Sequence, residues 1–304
     1  MVEAFKPASL AEALKIRSDE HAIPFAGGTD LMVRFRARDG MAPSFGLPIV
    51  FVDSLPELNT VQMHKGGLMI GASVPLSILI GEVAGSRMKT APDAAALALV
   101  PPVLRDAMAA VGAPAIRNRA TMGGNLASAS PAGDSIAALY ALRAEIILNS
   151  LNGERRILIE KFILGPGETN SNEDEIIRAI HIPAPLPNWS YWRKVGTRRT
   201  NALTKVSLAA AASIANGKVE SCILAFGAVG PRIVRAPDAE ELLRDQLAAA
   251  PEVKLKEIIA KAASLVSPLI SPIDDQRSTA RYRGAVALNL MGDAIESLKG
   301  RLHD

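Results

Sequence analysis

With 49% hydrophobic and 21% charged residues over 304 positions, the chain can bury a substantial core as two or three modules and is not disordered. A net charge of +3, aromatic residues at 4% and no lysine–arginine tract argue against a nucleic-acid-binding role. Cys222 is the only cysteine, which excludes intramolecular disulfides and any cysteine-held iron–sulfur cluster or Cys-rich zinc site in this chain.

The four histidines, His21, His64, His181 and His303, show no metal-ligand spacing, so any metal chemistry would have to lie on another subunit. The opening M-V-E-A-F-K-P lacks a basic region followed by a long apolar segment, and no run of 18 apolar residues occurs. No membrane span is expected, and the expected location is cytoplasmic.

Val2–Phe5 reads as a short strand, and Ser9 with Glu12 three residues later forms a capping-box pattern for the first helix. The apolar run from His21 to Ala26 reads as a strand. It feeds the loop Pro24-Phe25-Ala26-Gly27-Gly28-Thr29-Asp30-Leu31, with Thr29 or Asp30 as the expected N-cap of a helix from Leu31. Leu47–Val52 is the next strand, closed by Asp53. This β-α-β-like opening sets a first boundary near residues 55–60. Antiparallel strands are expected around Gly66–Ile70 and a short helix over Val74–Ile80. Asp93–Ala110 is expected to be helical, restarted or kinked at Pro101-Pro102.

The stretch from Ile116 to Asp134 concentrates the chemistry. Arg117 and Arg119 lead into Thr121-Met122-Gly123-Gly124-Asn125, and a small-residue segment then ends at Pro131 and the carboxylate of Asp134. Adjacent glycines let backbone approach a flat or phosphorylated ligand, and successive N–H groups at a turn can face an anion. Thr121, Asn125, Ser128 and Ser130 add neutral hydrogen-bonding groups, and Asp134 can hold ribose or ribityl hydroxyls. G-G-N is also an ordinary turn signal, and small residues before a proline also mark a tight loop. The second double glycine at Gly27-Gly28 strengthens the ligand reading, since an extended phosphorylated cofactor can lie across two such loops. Neither loop is the G-x-G-x-x-G fingerprint or the G-x-x-x-x-G-K-[ST] phosphate loop.

Ser135–Leu142 reads as an apolar helix. Glu145–Asn149 and Glu154–Ile159 flank Asn152-Gly153, a hairpin signal, and Phe162–Thr169 reads as loop. Ile176–Ile182 alternates as a strand up to Pro183. The run Pro183-Ala184-Pro185-Leu186-Pro187 marks a second boundary. Lys205–Ala215 suits either strand or helix, and Asn216-Gly217 turns into Lys218–Ala228. Helices are expected over Asp238–Ala249, Glu252–Ser264 and Ala280–Leu298, the strands-then-helices order of a small α+β domain.

Tyr191-Trp192-Arg193-Lys194-Val195-Gly196-Thr197-Arg198-Arg199 is the densest basic and aromatic patch. It can cover a planar ring and stabilise negative charge on it, or it can be a solvated charge run with aromatic anchors. Lys205 is close enough in sequence to approach the same site. Ile273-Asp274-Asp275-Gln276-Arg277 reads as an interdomain salt-bridge knot. No G-x-S-x-G elbow or serine–histidine–acid set is present, so nothing indicates a hydrolase.

Taken together, these motifs resemble the FAD-binding medium subunit of the molybdenum hydroxylases, the family of xanthine dehydrogenases and carbon monoxide dehydrogenases. A-G-G-T-D stands at Ala26–Asp30, I-R-N at Ile116–Asn118, T-x-G-G-N at Thr121–Asn125 and S-P-x-x-D at Ser130–Asp134. K-V-G-T-R-R at Lys194–Arg199, K-V at Lys205-Val206, G-A-V-G-P at Gly227–Pro231 and P-I-D-D-x-R-S-T-A-x-Y-R at Pro272–Arg283 are similar to the xanthine-dehydrogenase-like branch. The likeness covers essentially the whole chain. Trp192 stands where many relatives carry Phe or Tyr, and Val111 stands where animal xanthine dehydrogenases place a phenylalanine against the flavin.

The resemblance implies an α+β fold: a two-lobed FAD-binding domain of the vanillyl-alcohol-oxidase-like (PCMH-type) class, then a smaller α+β C-terminal domain. It implies an α/β lobe over residues 1–55, an α+β lobe over 56–180 and a C-terminal domain over 188–290. The cofactor-binding residues implied are Pro24, Phe25, Ala26, Gly27, Gly28, Thr29, Asp30, Leu31, Thr121, Gly123, Gly124, Asn125 and Asp134. Lys194 and Lys205 are implied to lie towards the flavin ring, and no residue is assigned a catalytic or metal-binding role. The implied partners are a subunit with two [2Fe–2S] clusters and a molybdopterin subunit, in a heterotrimer that can be doubled. Electrons would reach FAD from the clusters and leave to NAD⁺, oxygen or another acceptor, while an N-heterocycle or aldehyde is hydroxylated at molybdenum. A stand-alone flavoprotein oxidase of the same fold and a non-catalytic scaffold subunit are the alternatives.

Overall fold

The computed structural model describes residues 2–36, 41–82, 94–198, 201–249 and 252–302. Two compact units emerge. Met1–Val100, Ala113–Ala129 and Ala144–Ala184 form the first, and Pro101–Gly112, Ser130–Arg143 and Pro185–Asp304 form the second. The central stretch is therefore divided: the glycines of Thr121–Asn125 belong to the first unit and Asp134 to the second.

The first unit opens with β1 (Ala4–Phe5), α1 (Leu10–Glu20), β2 (Ile23–Phe25), α2 (Leu31–Arg34) and β3 (Ile49–Phe51). The three strands pair in parallel in the order β1-β3-β2. Ser9 caps α1 as expected, accepting from the Glu12 N–H at 3.2 Å, while the Glu12 carboxylate reaches back to the Ala8 N–H at 2.8 Å. Leu10, Ala13 and Leu14 on one face of α1 pack with Val50, Val52, Leu55 and Leu58 to form the core of this lobe.

The larger lobe is a five-stranded antiparallel sheet in the order β4-β5-β10-β6-β7, made of β4 (Val61–His64), β5 (Gly67–Gly71), β6 (Glu145–Ser150), β7 (Gly153–Leu158) and β10 (Ile176–Pro183). Helices α3 (Leu76–Leu79), α4 (Ala94–Ala98), α6 (Pro114–Arg117), α7 (Met122–Ser128) and α9 (Ile159–Phe162) accompany it. The 145–158 hairpin forms, but Ser150 pairs with Gly153, so the loop is Leu151-Asn152, one residue earlier than expected. The 162–169 segment is not simply loop. Ile163–Gly165 (β8) pairs with Glu168–Thr169 (β9), and Gly167 makes the turn at φ +77°.

In the second unit, β11 (Trp189–Val195), β12 (Val206–Ala215), β13 (Lys218–Gly227) and β14 (Val234–Arg235) form an antiparallel sheet in chain order. The strand-or-helix ambiguity at 205–215 resolves as strand. Asn216 at φ 51° and Gly217 at φ 68° make a two-residue turn that pairs Ala215 with Lys218. Val206, Leu208, Ala210 and Ala212 pack with the buried faces of α10 (Pro237–Gln246), α11 (Glu252–Val266) and α12 (Ala280–Arg301). On the sheet's other side, α8 (Asp134–Ala141) packs on β12 and β13, and α5 (Pro102–Ala109) packs on β11 and β12. Pro102 at N1 of α5 restarts the helix as expected.

The 273–277 segment is not an interdomain knot. The Asp275 carboxylate accepts from Arg283 at 2.5 Å and Arg277 at 3.2 Å, both in the same unit, and Arg283 also donates to the Ala228 carbonyl at 3.4 Å. No helix among the described residues is long and apolar enough to cross a membrane.

Candidate cofactor site

In the first unit the two glycine loops meet directly. A Cβ on Gly27 would stand 1.8 Å from the Arg119 carbonyl oxygen, so only glycine lets the 26–30 loop lie against the 118–121 backbone. Gly28 has φ +71°, and a Cβ there would meet the Phe25 ring at 2.4 Å. Phe25 is itself fixed by edge-on contacts with Phe51 (5.3 Å between centroids) and Phe45 (6.2 Å). Pro24 and Phe25 thus form the strand end beneath the loop, while Ala26 through Thr29 are only partly covered.

Asp30 is the N-cap residue of α2, as expected, but its side chain makes no capping hydrogen bond. Its carboxylate accepts instead from the Ser128 hydroxyl at 2.7 Å, at the far end of α7. This second tie between the loops joins residues 98 positions apart, a pairing that sequence spacing gives no signal for. The N–H groups of Gly28, Thr29 and Asp30 donate to no atom among the described residues, so three consecutive backbone donors stand uncommitted at the first loop. Leu31 follows as the first residue of α2.

The second loop is tied down differently. Thr121 caps α7, its hydroxyl accepting from the Gly124 N–H at 3.1 Å. The Gly123 N–H donates to the Ala72 carbonyl at 2.9 Å, and a Cβ on Gly123 would lie 2.6 Å from the Ala72 methyl. The glycine amides of this turn are therefore engaged within the chain, and Gly123 serves close packing. Leu76 N donates to the Ala120 carbonyl at 2.9 Å, and Pro75 bridges to Thr121, so residues 72–76 buttress the loop. That buttress was not singled out in sequence; its pattern is an ordinary strand end. Asn125 lies half-buried in the first turn of α7.

The second unit places Asp134 and Lys194 together. The Lys194 ammonium donates to Asp134 Oδ2 at 2.6 Å and to the Ala110 carbonyl at 2.9 Å, and the Thr204 hydroxyl donates to Asp134 Oδ1 at 2.7 Å. Side-chain exposure is only 7% for Asp134 and 12% for Lys194. Burial raises the Asp134 carboxyl above the usual carboxylate range, against the opposing pull of the Lys194 charge and the hydrogen bonds from Lys194 and Thr204. Thr204, unremarked in the sequence, is the third member of this set. Across the sheet, Lys194 is in register with Ser207 and Ser207 with Gly227. Gly227 leaves room for the Ser207 hydroxyl, which is buried with no hydrogen-bond partner among the described residues.

A cleft of about 550 Å³ adjoins Lys194, lined by Ala110, Trp192, Arg193, Lys194, Arg198 and Ala202 among others. Val111, next to Ala110, is half-buried at the end of α5. Lys205 does not share the Lys194 contacts; its ammonium lies 5.6 Å from the centre of the Tyr282 ring at the start of α12. Arg199, the last residue of the basic patch, lies outside the described residues. No group of three His, Cys, Asp or Glu side chains suited to a metal occurs among the described residues.

An α+β lobe pair carrying two interlocked glycine loops, followed by a smaller α+β domain, is the architecture of the PCMH-type FAD-binding proteins. Residues 1–185 match the family described as the FAD binding domain in molybdopterin dehydrogenase, and residues 191–298 match the CO dehydrogenase flavoprotein C-terminal domain. The chain belongs to this family of FAD-binding medium subunits of molybdenum hydroxylases. It is 30% identical over 293 residues to a glyceraldehyde dehydrogenase medium chain from Sulfolobus acidocaldarius, covering 95% of each chain. It is 26% identical to a xanthine dehydrogenase FAD-binding subunit from Escherichia coli O157:H7, over 98% of this chain and 97% of the relative. Among solved structures, its fold matches a chain of the reconstituted CO dehydrogenase from Oligotropha carboxidovorans with a TM-score of 0.84 at 24% identity, covering 99% of this chain and 98% of that one. A chain of quinoline 2-oxidoreductase from Pseudomonas putida 86 matches with a TM-score of 0.82, also at 24% identity and with the same coverage.

Proposed function

We propose that this chain is the FAD-carrying electron-transfer subunit of a multi-subunit molybdenum hydroxylase. It would receive electrons from [2Fe–2S] clusters on an iron–sulfur partner and pass them to NAD⁺, oxygen or another acceptor. Hydroxylation of an N-heterocycle or aldehyde would take place on a molybdopterin partner, in a heterotrimer that can be doubled. The observation that carries this reading is the junction of the glycine loops, where Gly27 lies against the Arg119 backbone beside the uncommitted N–H groups of Gly28, Thr29 and Asp30.

The donor set fits FAD. Consecutive backbone N–H groups beside a positive-φ glycine suit phosphate oxygens, and the Thr29 hydroxyl adds a neutral donor. Pro24, Phe25, Ala26 and Leu31 shape the loop that presents them. The Asp30–Ser128 bond holds that loop to α7, where Thr121, Gly123, Gly124 and Asn125 form the facing turn. When bound, FAD supplies a two-electron store that single-electron clusters lack. Lys194 would add positive charge that offsets negative charge on a reduced ring, while Lys205, set over the Tyr282 ring, is not brought to the same group.

The test is an absorbance spectrum of the chain purified with its native partners, and again alone. Flavin bands in both samples, with iron–sulfur absorbance only in the complex, are expected. An intact complex without flavin in the presence of added FAD would overturn the proposal.

A further inference from the structure

The 24–31 loop carries one acid, Asp30, beside the uncommitted backbone donors of Gly28, Thr29 and Asp30 itself. A carboxylate in such a loop competes with any incoming anion, because aspartate side chains readily accept from N–H groups of their own turn. Here it does not. The carboxylate's partner among the described residues is the Ser128 hydroxyl at 2.7 Å, and no cation among them pairs with it. Ser128 stands on a fixed support: the Gly167 N–H donates to the carbonyl of the adjacent Ala129 at 3.1 Å, and Thr121 caps the other end of α7. A hydroxyl has one proton to give, and the Gly124 carbonyl also lies within its reach, at 3.1 Å. The charged acceptor is closer and stronger, so the proton goes to Asp30. Without Asp30, Ser128 could turn to Gly124 and stay satisfied. The tie therefore answers a need of Asp30, not of Ser128.

We propose that Ser128 is a positioning residue for the diphosphate of FAD: by drawing the Asp30 carboxylate to α7, it keeps that acid off the three N–H groups that would receive the phosphate oxygens. This inference rests on the FAD reading above and refines it, since Ser128 is assigned no contact with the cofactor and acts through Asp30. Residue 30 contributes its backbone N–H to the site, while its side-chain charge is a hindrance that the tie removes. All the groups involved, from residues 28–30 to Ser128 and Ala129, belong to the first unit.

A tie that only holds two loops together and a tie that keeps a charge away predict different double-mutant behaviour. FAD dissociation constants are read from quenching of flavin fluorescence, on the complex with its native partners after its flavin has been stripped. Ser128→Ala is expected to weaken FAD about fivefold or more, the worth of roughly one hydrogen bond. Ser128→Thr, which keeps the hydroxyl, should restore the affinity. Asp30→Asn removes the competing charge and should bind FAD about two- to threefold more tightly than wild type. In that background Ser128→Ala should cost less than about twofold, because no charge is left to hold away. An equal loss from Ser128→Ala in both backgrounds overturns the positioning role. So does an Asp30→Asn variant as weak as Ser128→Ala, or an unchanged constant in Ser128→Ala. A wild-type complex without flavin, both as purified and after FAD is added, overturns the underlying FAD reading and this inference with it.

Discussion

Replacing Gly27 with alanine tests the junction on which the FAD reading rests. The new Cβ would sit 1.8 Å from the Arg119 carbonyl oxygen, 2.6 Å from its carbon and 3.1 Å from the Ala120 nitrogen. All three are backbone atoms, so no side chain can swing away, and the two loops must part by roughly 1.2 Å to reach even a tight contact. Overpacking of this kind costs typically 1–3 kcal/mol, and a backbone-on-backbone clash belongs at about 3 kcal/mol or above. For a domain of this size that lowers Tm by about 6–12 °C. Gly124→Ala is the matched control. It lies exposed in α7 with only Thr121 Oγ1 nearby, at 3.1 Å, so helix propensity offsets the crowding and the net change should stay within about 1 kcal/mol. Calorimetry with flavin quantitation should show Gly27→Ala destabilised and flavin-poor, and Gly124→Ala near wild type. A Gly27→Ala protein with unchanged Tm and full flavin would refute the close packing of the loops.

Other consequences are more local. Ser128→Ala removes the 2.7 Å bond to Asp30 at an exposed site, so stability should fall by no more than about 1 kcal/mol while flavin dissociates measurably faster in fluorescence release. The Asp275 carboxyl is held down at about 2, first by the hydrogen bond from Arg283 and then by that from the Arg277 N–H. A depressed folded-state value means the stabilisation is fully present above the ordinary aspartate range and is lost as pH falls through about 2. Acid-unfolding curves of Asp275→Asn should lack that component between about pH 4 and pH 2. Burial pushes the Cys222 thiol up to about 12, so a thiol reagent at pH 8 should label it only after denaturant is added, and rapid labelling of the native chain would contradict its burial.

Local signals in the sequence located most elements correctly. Ser9 and Glu12 announced α1, Pro102 the restart of α5, and Asn216-Gly217 the β12–β13 hairpin, because each works through atoms within four residues of itself. The short pair β8 and β9 was missed because Gly165, Pro166 and Gly167 are loop residues, and two- and three-residue strands carry no periodicity. The alanine-rich 206–215 run was ambiguous for a related reason. Alanine favours helix intrinsically, but here Ala209–Ala212 lie in the middle of a sheet with helices on both faces, where small side chains suit close packing from each side.

The site was legible as motifs and illegible as contacts. Both double glycines stood out in the sequence, but their reasons differ in ways that only packing reveals. Gly27 makes room for the Arg119 backbone, Gly28 supplies a positive φ over Phe25, and Gly123 seats on Ala72. Asp134 shows the same limit more sharply. As a lone carboxylate after S-P-x-x it invites a hydroxyl-binding role, and nothing in the motif signals that its two oxygens also meet Lys194 and Thr204, 60 and 70 residues further on. A short motif cannot announce such a partner, because Lys194 on β11 meets Asp134 only once α8 has packed on the sheet to which β11 belongs.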